Sequence, residues 1–230
     1  MEAGRKTILT FANDILSLLK YNLKMKKISF FTLALLSLLA FMPAKAQIAP
    51  TAIDVAPLLV GESVPDGQLT TVTGEKVSVH SMLSTAPCII VFYRGKWCHN
   101  CIDNSKAEYA PHLQEIADLG YHLIAISPDS PTNLDTLAIK SGIDRRFFFQ
   151  DENCAFTQAM GLAWKQSDRM SKYLLESSGG TNTSNSLPVT SVFVVNKDFE
   201  ILFESVAPNA IPAAKRMKWS LLGPVLKALE

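Results

Sequence analysis

Residues 88–101 read "CIIVFYRGKWCHNC". A continuous apolar run, Cys88 to Tyr93, passes into a basic loop and then into two cysteines, Cys98 and Cys101, with two residues between them. The run has the pattern of a strand covered on both faces. The residues after Cys101, "IDNSKAEYAPHLQEIADLG", put Ile102, Tyr109, Leu113 and Ile116 at helical spacing, with Gly120 where a helix stop is expected. The cysteine pair therefore marks the passage from a buried strand into a helix. Pro111 should kink that helix, because it lacks the amide the helix needs.

Working outward, the alternation continues on both sides. Upstream, "GQLTTVTGEKVSV" (67–79) reads as a short hairpin, with turns at Pro65-Asp66-Gly67 and Thr73-Gly74. Downstream, "YHLIAIS" (121–127) is a second buried strand, and Ser130-Pro131 is an N-cap and first-turn pair for a helix to about Lys140. "RFFFQD" (146–151) suggests a third strand or its edge, and "NCAFTQAMGLAWK" (153–165) begins another helix. "PVTSVFVV" (188–195) is a fourth strand and "EILFESV" (200–206) a fifth, joined by a turn at Asn196-Lys197-Asp198. A last helix lies within "IPAAKRMKWSLLGPVLKAL" (211–229), broken at Gly223-Pro224. The polar, Gly-rich "ESSGGTNTSNS" (176–186) reads as a loop. The order predicts an α/β fold: a mixed central sheet flanked by helices, with an N-terminal hairpin extension.

The N-terminal segment is of a different kind. Lys24, Lys26 and Lys27 precede an almost purely apolar stretch from Ile28 to Met42, and Ala44-Lys45-Ala46 offers small residues at the positions a signal peptidase reads. That is the pattern of a secretory signal peptide, shorter in its apolar part than a membrane span. Residues 1–46 are therefore expected to be a leader, with 1–24 an over-extended start ahead of "MKKISFF", and 47–230 the folded domain. No cysteine lies near the cleavage point, so no lipid anchor is expected there. The chain is expected to be exported, periplasmic or secreted, touching a membrane only through an uncleaved leader. Lys plus Arg total 22 and Asp plus Glu 21. That balance gives no basic surface for nucleic acid. With 48% apolar residues there is ample material for a core.

The chain has four cysteines: Cys88, Cys98, Cys101 and Cys154. Cys88 opens a buried strand and Cys154 lies in a helical stretch, where free cysteines are usually inert. A structural zinc site needs four ligands, and only one CxxC is present, with no histidine at ligand spacing; no metal is expected. A dithiol fits the local physics. A helix N-terminus favours negative charge, so Cys98 should ionise readily, helped by Arg94, Lys96 and His99. Cys101, one turn on, should be the more shielded sulfur. Cys98 then attacks and Cys101 resolves the mixed intermediate. Arg94 and Lys96 also read as ordinary solvated charges, and Trp97 and Tyr93 as packing.

"VFYRGKWCHNC" resembles the "FYRGxWCxxC" signature of peroxiredoxin-like redoxins in the alkyl hydroperoxide reductase and thiol-specific antioxidant family, within the thioredoxin superfamily. "LIAISPDSP" (123–131), "GLAWK" (161–165) and "LPVTSVFVVNKD" (187–198) are similar in order and spacing, so the resemblance spans roughly residues 55–206. It implies a thioredoxin-like fold and a thiol-dependent oxidoreductase without a cofactor. It also implies a cis peptide before Pro188, in a loop that packs on the CxxC and holds substrate. Arg94, Trp97, Leu187 and Pro188 become candidate substrate-binding residues. The pattern departs from typical peroxidatic sites at three positions: Gly95 where Thr or Ser is usual, Val91 where Pro is usual, and Thr190 where an Arg stands. The missing Thr and Arg are the groups that would stabilise developing charge on a peroxide.

Three readings follow. In the first, Cys98 and Cys101 exchange disulfides with a disulfide-bearing protein, with an external thiol as electron donor. In the second, Cys98 reduces hydroperoxides through a sulfenic acid. In the third, the chain is a binding module whose 98–101 disulfide is only a staple.

Overall fold

The computed structural model describes residues 47–177, 180, 183–207 and 222–229. The leader expected over 1–46 and most of the stretch read as the last helix lie outside the described residues.

The hairpin pairs β1 (Gln68–Thr71) with β2 (Lys76–Ser78), antiparallel, with Leu69 opposite Val77. A short helix α1 (Val79–Leu83) follows; the Ser78 side chain caps it by accepting from the Ser81 amide. β3 (Cys88–Phe92) is buried at every residue. It pairs with β4 (His122–Ser127) in parallel on one side and with β8 (Ser191–Val195) antiparallel on the other. β5 (Phe148–Gln150) and the edge strand β9 (Ile201–Val206) complete a mixed seven-stranded sheet in the order β2-β1-β5-β4-β3-β8-β9.

Alternation along β3 divides the core into two layers. Ile89 and Val91 face one layer with Leu123, Ala125, Leu134, Leu137, Val192 and Val194. Cys88, Ile90 and Phe92 face the other with Ile124, Ile126, Phe156, Met160 and Phe193. Each such fully buried aliphatic or aromatic side chain contributes about 1.5–3 kcal/mol relative to exposure. The central strand is thus held from both faces, which fixes the loop that leaves its C-terminal end.

That loop leads into α2 (His99–Asn104). The expected helix does not run on at one gauge. A π-helical turn (Ser105–Tyr109) and a 3₁₀ turn (Ala110–His112) intervene before α3 (Leu113–Asp118). Pro111 lies in the 3₁₀ turn, where its missing amide breaks the i to i−4 pattern. Tyr109 and Ile116 still reach the core, and Gly120 ends the run at φ +81. α4 (Pro131–Ser141) is capped as the sequence predicts: the Ser130 hydroxyl accepts from the Asn133 amide, and Pro131 opens the helix.

Two readings are corrected. The stretch 188–195 is not one strand. β7 (Ser186–Pro188) leaves the main sheet to pair antiparallel with β6 (Ala163–Lys165), and only 191–195 joins β3. "GLAWK" is accordingly a turn and a strand rather than the end of a helix; the helical part is α5 (Ala155–Ala159). Gly161, at φ +71, takes a conformation and a close approach to Ala56 that a side chain would block. α6 (Asp168–Ser177) was not foreseen; its first turn is held by the Ser167 hydroxyl, which accepts from the Met170 amide. The last described helix, α7 (Leu222–Leu229), has Gly223-Pro224 in its first turn, where Pro224 leaves no required amide missing; residues 208–221, over which the rest of the expected helix falls, lie outside the described residues.

Candidate active site

Cys98 and Cys101 are joined as a disulfide, with their α-carbons 5.2 Å apart. Cys98 immediately precedes α2, and the Cys101 amide donates to the Cys98 carbonyl at 2.9 Å. Cys98 in turn donates its own amide to the Gly95 carbonyl at 3.0 Å, so the loop is a tight turn. Arg94 Nη2 donates to Cys98 Sγ at 3.3 Å, and its guanidinium lies over the Trp97 ring, 5.3 Å from the centroid. A cation at that distance favours a thiolate over a thiol once the disulfide is reduced.

The expected order of exposure is reversed. Cys98 is only 3% exposed, while Cys101 is half-buried. Spacing along a helix does not say what other segments lie over its start. Trp97 illustrates this: its ring meets Tyr173 of α6 edge-on, with centroids 6.2 Å apart. Tyr173, itself 47% exposed, is a neighbour that sequence spacing did not point to.

The departure at position 95 has a structural cause. Gly95 sits at φ +133, and a Cβ there would lie 3.0 Å from both carboxylate oxygens of Asp129 and from Trp97 Nε1. A threonine does not fit this turn. Val91 sits in the central strand opposite Ala125 and Val192, where a proline would remove a ladder amide. Thr190 lies between β7 and β8, its carbonyl accepting from the Ala207 amide at 2.9 Å.

Asp129 was missed from the sequence. It lies just beyond β4, 1% exposed, and accepts a hydrogen bond from the Lys96 amide. Lys96 Nζ donates to Asn133 Oδ1 of α4 at 2.7 Å, so this cation is drawn inward rather than toward the sulfurs. Burial pushes the Asp129 carboxyl up to about 6, against the pull of the Lys96 amide, the Lys96 ammonium and Asn133. Tyr93, wholly buried beside it, is held well above 10 by burial and by the Asp129 charge; the Ser127 hydroxyl pulls the other way, although no well-formed hydrogen bond reaches the Tyr93 oxygen.

Leu187 and Pro188 are both buried on β7, opposite Trp164 and Ala163. Every peptide bond among the described residues is trans, so the cis bond expected before Pro188 is absent. The residue ends a short strand whose pairing continues at the Val189 amide, which donates to the Leu162 carbonyl at 3.0 Å; an extended trans chain satisfies that register. Among the described residues, no three His, Cys, Asp or Glu side chains gather as a metal site, and no helix is long and apolar enough to cross a membrane.

The AhpC/TSA family profile matches residues 60–203, more than half of the chain. The chain belongs to the AhpC/TSA family. As an AhpC/TSA member it is a thiol-dependent oxidoreductase, of the peroxidase or reductase kind. No curated protein matches it. Among solved structures it is similar to peroxidoxin BcpB from Mycobacterium tuberculosis, at 18% identity over 74% of this chain and 97% of that one, with TM-score 0.53. Reduced Prx3 from Vibrio vulnificus aligns at 13% identity over 75% and 98%, with TM-score 0.58. Peroxiredoxin 5 from Alvinella pompejana aligns at 17% over 76% and 100%, with TM-score 0.55. At such identities the likeness speaks for the fold, which is thioredoxin-like with a mixed sheet between helices.

Proposed function

We propose that this AhpC/TSA protein is an exported thiol oxidoreductase working through the Cys98–Cys101 pair. Reduced Cys98, as thiolate, attacks a disulfide sulfur of a substrate protein and forms a mixed disulfide, expelling one substrate thiolate. Cys101 attacks Cys98, closes the 98–101 disulfide and releases the second substrate thiolate, so that the substrate gains two electrons. An external thiol donor then reduces the pair again. The observation that carries this reading is the Arg94 guanidinium at 3.3 Å from Cys98 Sγ, which singles out that sulfur as the charge-bearing one. Trp97, beside it, offers an aromatic surface for substrate. Leu187 and Pro188 take part in binding only if β7 is uncovered, since both are buried.

Two observations favour a second reading, in which Cys98 reduces a hydroperoxide. The family includes such peroxidases, and a sulfur 3% exposed suits a small oxidant better than a protein surface. Against it stand Gly95 and Thr190, where the charge-stabilising Thr and Arg are absent. In the peroxide route Cys98 takes one oxygen as sulfenic acid, an alcohol or water leaves, and Cys101 condenses with the sulfenic acid to release water.

The test is trapping by mass spectrometry, with Cys98→Ser and Cys101→Ser compared. A mixed disulfide should accumulate only in Cys101→Ser; equal trapping in both removes the role assignment. Competition kinetics with hydrogen peroxide separate the two routes: a rate no faster than free cysteine ends the peroxidase reading. A reduction potential well below about −300 mV would leave the pair a structural staple. Export rests on the leader pattern alone and predicts a mature chain beginning at Gln47, read by N-terminal sequencing of the exported fraction.

A further inference from the structure

The polar groups beneath the redox loop are not used by the sulfur chemistry above, yet they converge on one peptide. The Gly95–Lys96 peptide unit is held at both ends. Its N–H donates to Asp129 Oδ2, and its carbonyl accepts from the Cys98 amide at 3.0 Å. Asp129 stands 3.0 Å from the place a Gly95 Cβ would occupy, so the carboxylate sits directly against the turn. The backbone that carries Asp129 is fixed in turn. The Asp129 amide donates to Ser127 Oγ at 3.3 Å, and Asn133, anchored in the first turn of α4, accepts from the Lys96 ammonium.

We propose that Asp129 is a positioning residue for Cys98: its carboxylate fixes the orientation of the Gly95–Lys96 peptide, whose carbonyl holds the Cys98 amide, and thereby sets the reactivity of the Cys98 sulfur. The proposal rests on Cys98 being the reacting thiol. A charged acceptor holds an amide about twice as strongly as a neutral one, so protonation of Asp129 loosens the turn. The groups facing Asp129 are few. Lys96 comes from the loop, neutral Tyr93 from the end of β3, and the uncharged Asn133 from α4. Arg94 is directed to Cys98 and Trp97, and Asp151, near Ser127 in the chain path, is engaged by the Thr157 amide and hydroxyl. The Cys98 thiolate is the remaining charge once the pair is reduced.

The experiment follows alkylation of the reduced full-length protein by iodoacetamide across pH, with modification at Cys98 assigned by tandem mass spectrometry, in wild type, Asp129→Asn and Lys96→Met. After division by the thiolate fraction, wild type should show an additional rise of about threefold centred near pH 6, where Asp129 ionises. Asp129→Asn should lack the rise. Lys96→Met should move it to higher pH, because the ammonium favours the carboxylate. A general loss of structure would lower all rates without producing or moving such a step. A wild-type profile that follows thiol ionisation alone overturns the proposal, as does a step that survives in Asp129→Asn. Should Asp129→Asn fail to fold, an unmoved step in Lys96→Met overturns it. Failure of the underlying assignment reads differently: turnover would then survive Cys98→Ser.

Discussion

The four cysteines fall into two pairs that the fold treats in opposite ways. Cys88 and Cys154 are both completely buried, Cys88 at the start of β3 in the layer with Ile90 and Phe92, and Cys154 ahead of α5. Burial pushes each thiol up to about 12, and at Cys154 the Asp151 charge pushes in the same direction. Cys98 is nearly as buried, yet it has an arginine on its sulfur and a helix beginning beside it. In the proposed reading burial alone does not separate Cys98 from the others; the nearest charge separates it from Cys154, with Asp151 beside Cys154 and Arg94 beside Cys98, while Cys88 has burial alone.

The largest test of that contrast is serine replacement. Cys98→Ser should lower turnover on the order of 1000-fold, as loss of a nucleophile does. Cys88→Ala and Cys154→Ala should leave turnover near wild type and cost about 1–2 kcal/mol of stability, measured by urea unfolding. A large activity loss in Cys154→Ala would break the contrast.

The next effect concerns the acid beneath the loop. Asp129 is raised from 3.8 to about 6, so the folded state holds its proton more tightly than the unfolded chain. Such a group favours folding below pH about 4, and that contribution disappears as pH rises through about 6. The difference of about two pH units corresponds to about 3 kcal/mol. Between those limits wild type should lose about that much stability relative to Asp129→Asn in urea melts taken across pH. Parallel curves would show that Asp129 is not buried as an acid. The loop between β3 and α2 is thus held at some cost in stability near neutral pH.

The same contrast explains what the sequence made legible. β3, β4 and β8 read as strands because the middle of each is covered on both faces and so is a continuous apolar run. The CxxC, its loop and the helix after it were legible from spacing. The break between Pro188 and Ser191 was not, since "PVTSVFVV" is continuously strand-like and apolarity does not say which of two sheets a residue joins. α6 was hidden because its last residues run into a Gly- and Ser-rich stretch, although Ser167 and Asp168 gave a cap and a first-turn acid. Asp129 sits in "SPDSP", a polar turn that reads as exposed, and an aspartate is seldom buried without a partner. Its partner is a backbone amide, which no side-chain pattern reports. The relative exposure of Cys98 and Cys101 depended on tertiary neighbours, and spacing alone assigned it the wrong way round.

Gly95→Ala probes the seat of that loop. A non-glycine residue at φ +133 is strained by about 1–3 kcal/mol, and the new methyl would press on the Asp129 carboxylate and Trp97 Nε1. A loss of about 2 kcal/mol is expected in urea unfolding. An unaffected melt would mean that the turn accepts a side chain, and the reason offered for the absence of threonine would fall.

The smallest expected effect is the one that bears most directly on why Cys98 differs from Cys154. Arg94→Met keeps an unbranched apolar stem while removing the guanidinium that lies over Trp97 and the charge at 3.3 Å from Cys98 Sγ. Loss of one nearby cation should raise the Cys98 thiol pKa by about one unit. At neutral pH the thiolate fraction then falls by up to about tenfold, partly offset because a more basic thiolate is a better nucleophile. The measured exchange rate should therefore fall less than the thiolate fraction does. The pH profile of Cys98 alkylation separates the two quantities: its midpoint moves up, while its plateau rises slightly. A midpoint that does not move would take the charge assignment away from Arg94 and leave the start of α2 as the source of the difference between the two cysteine pairs.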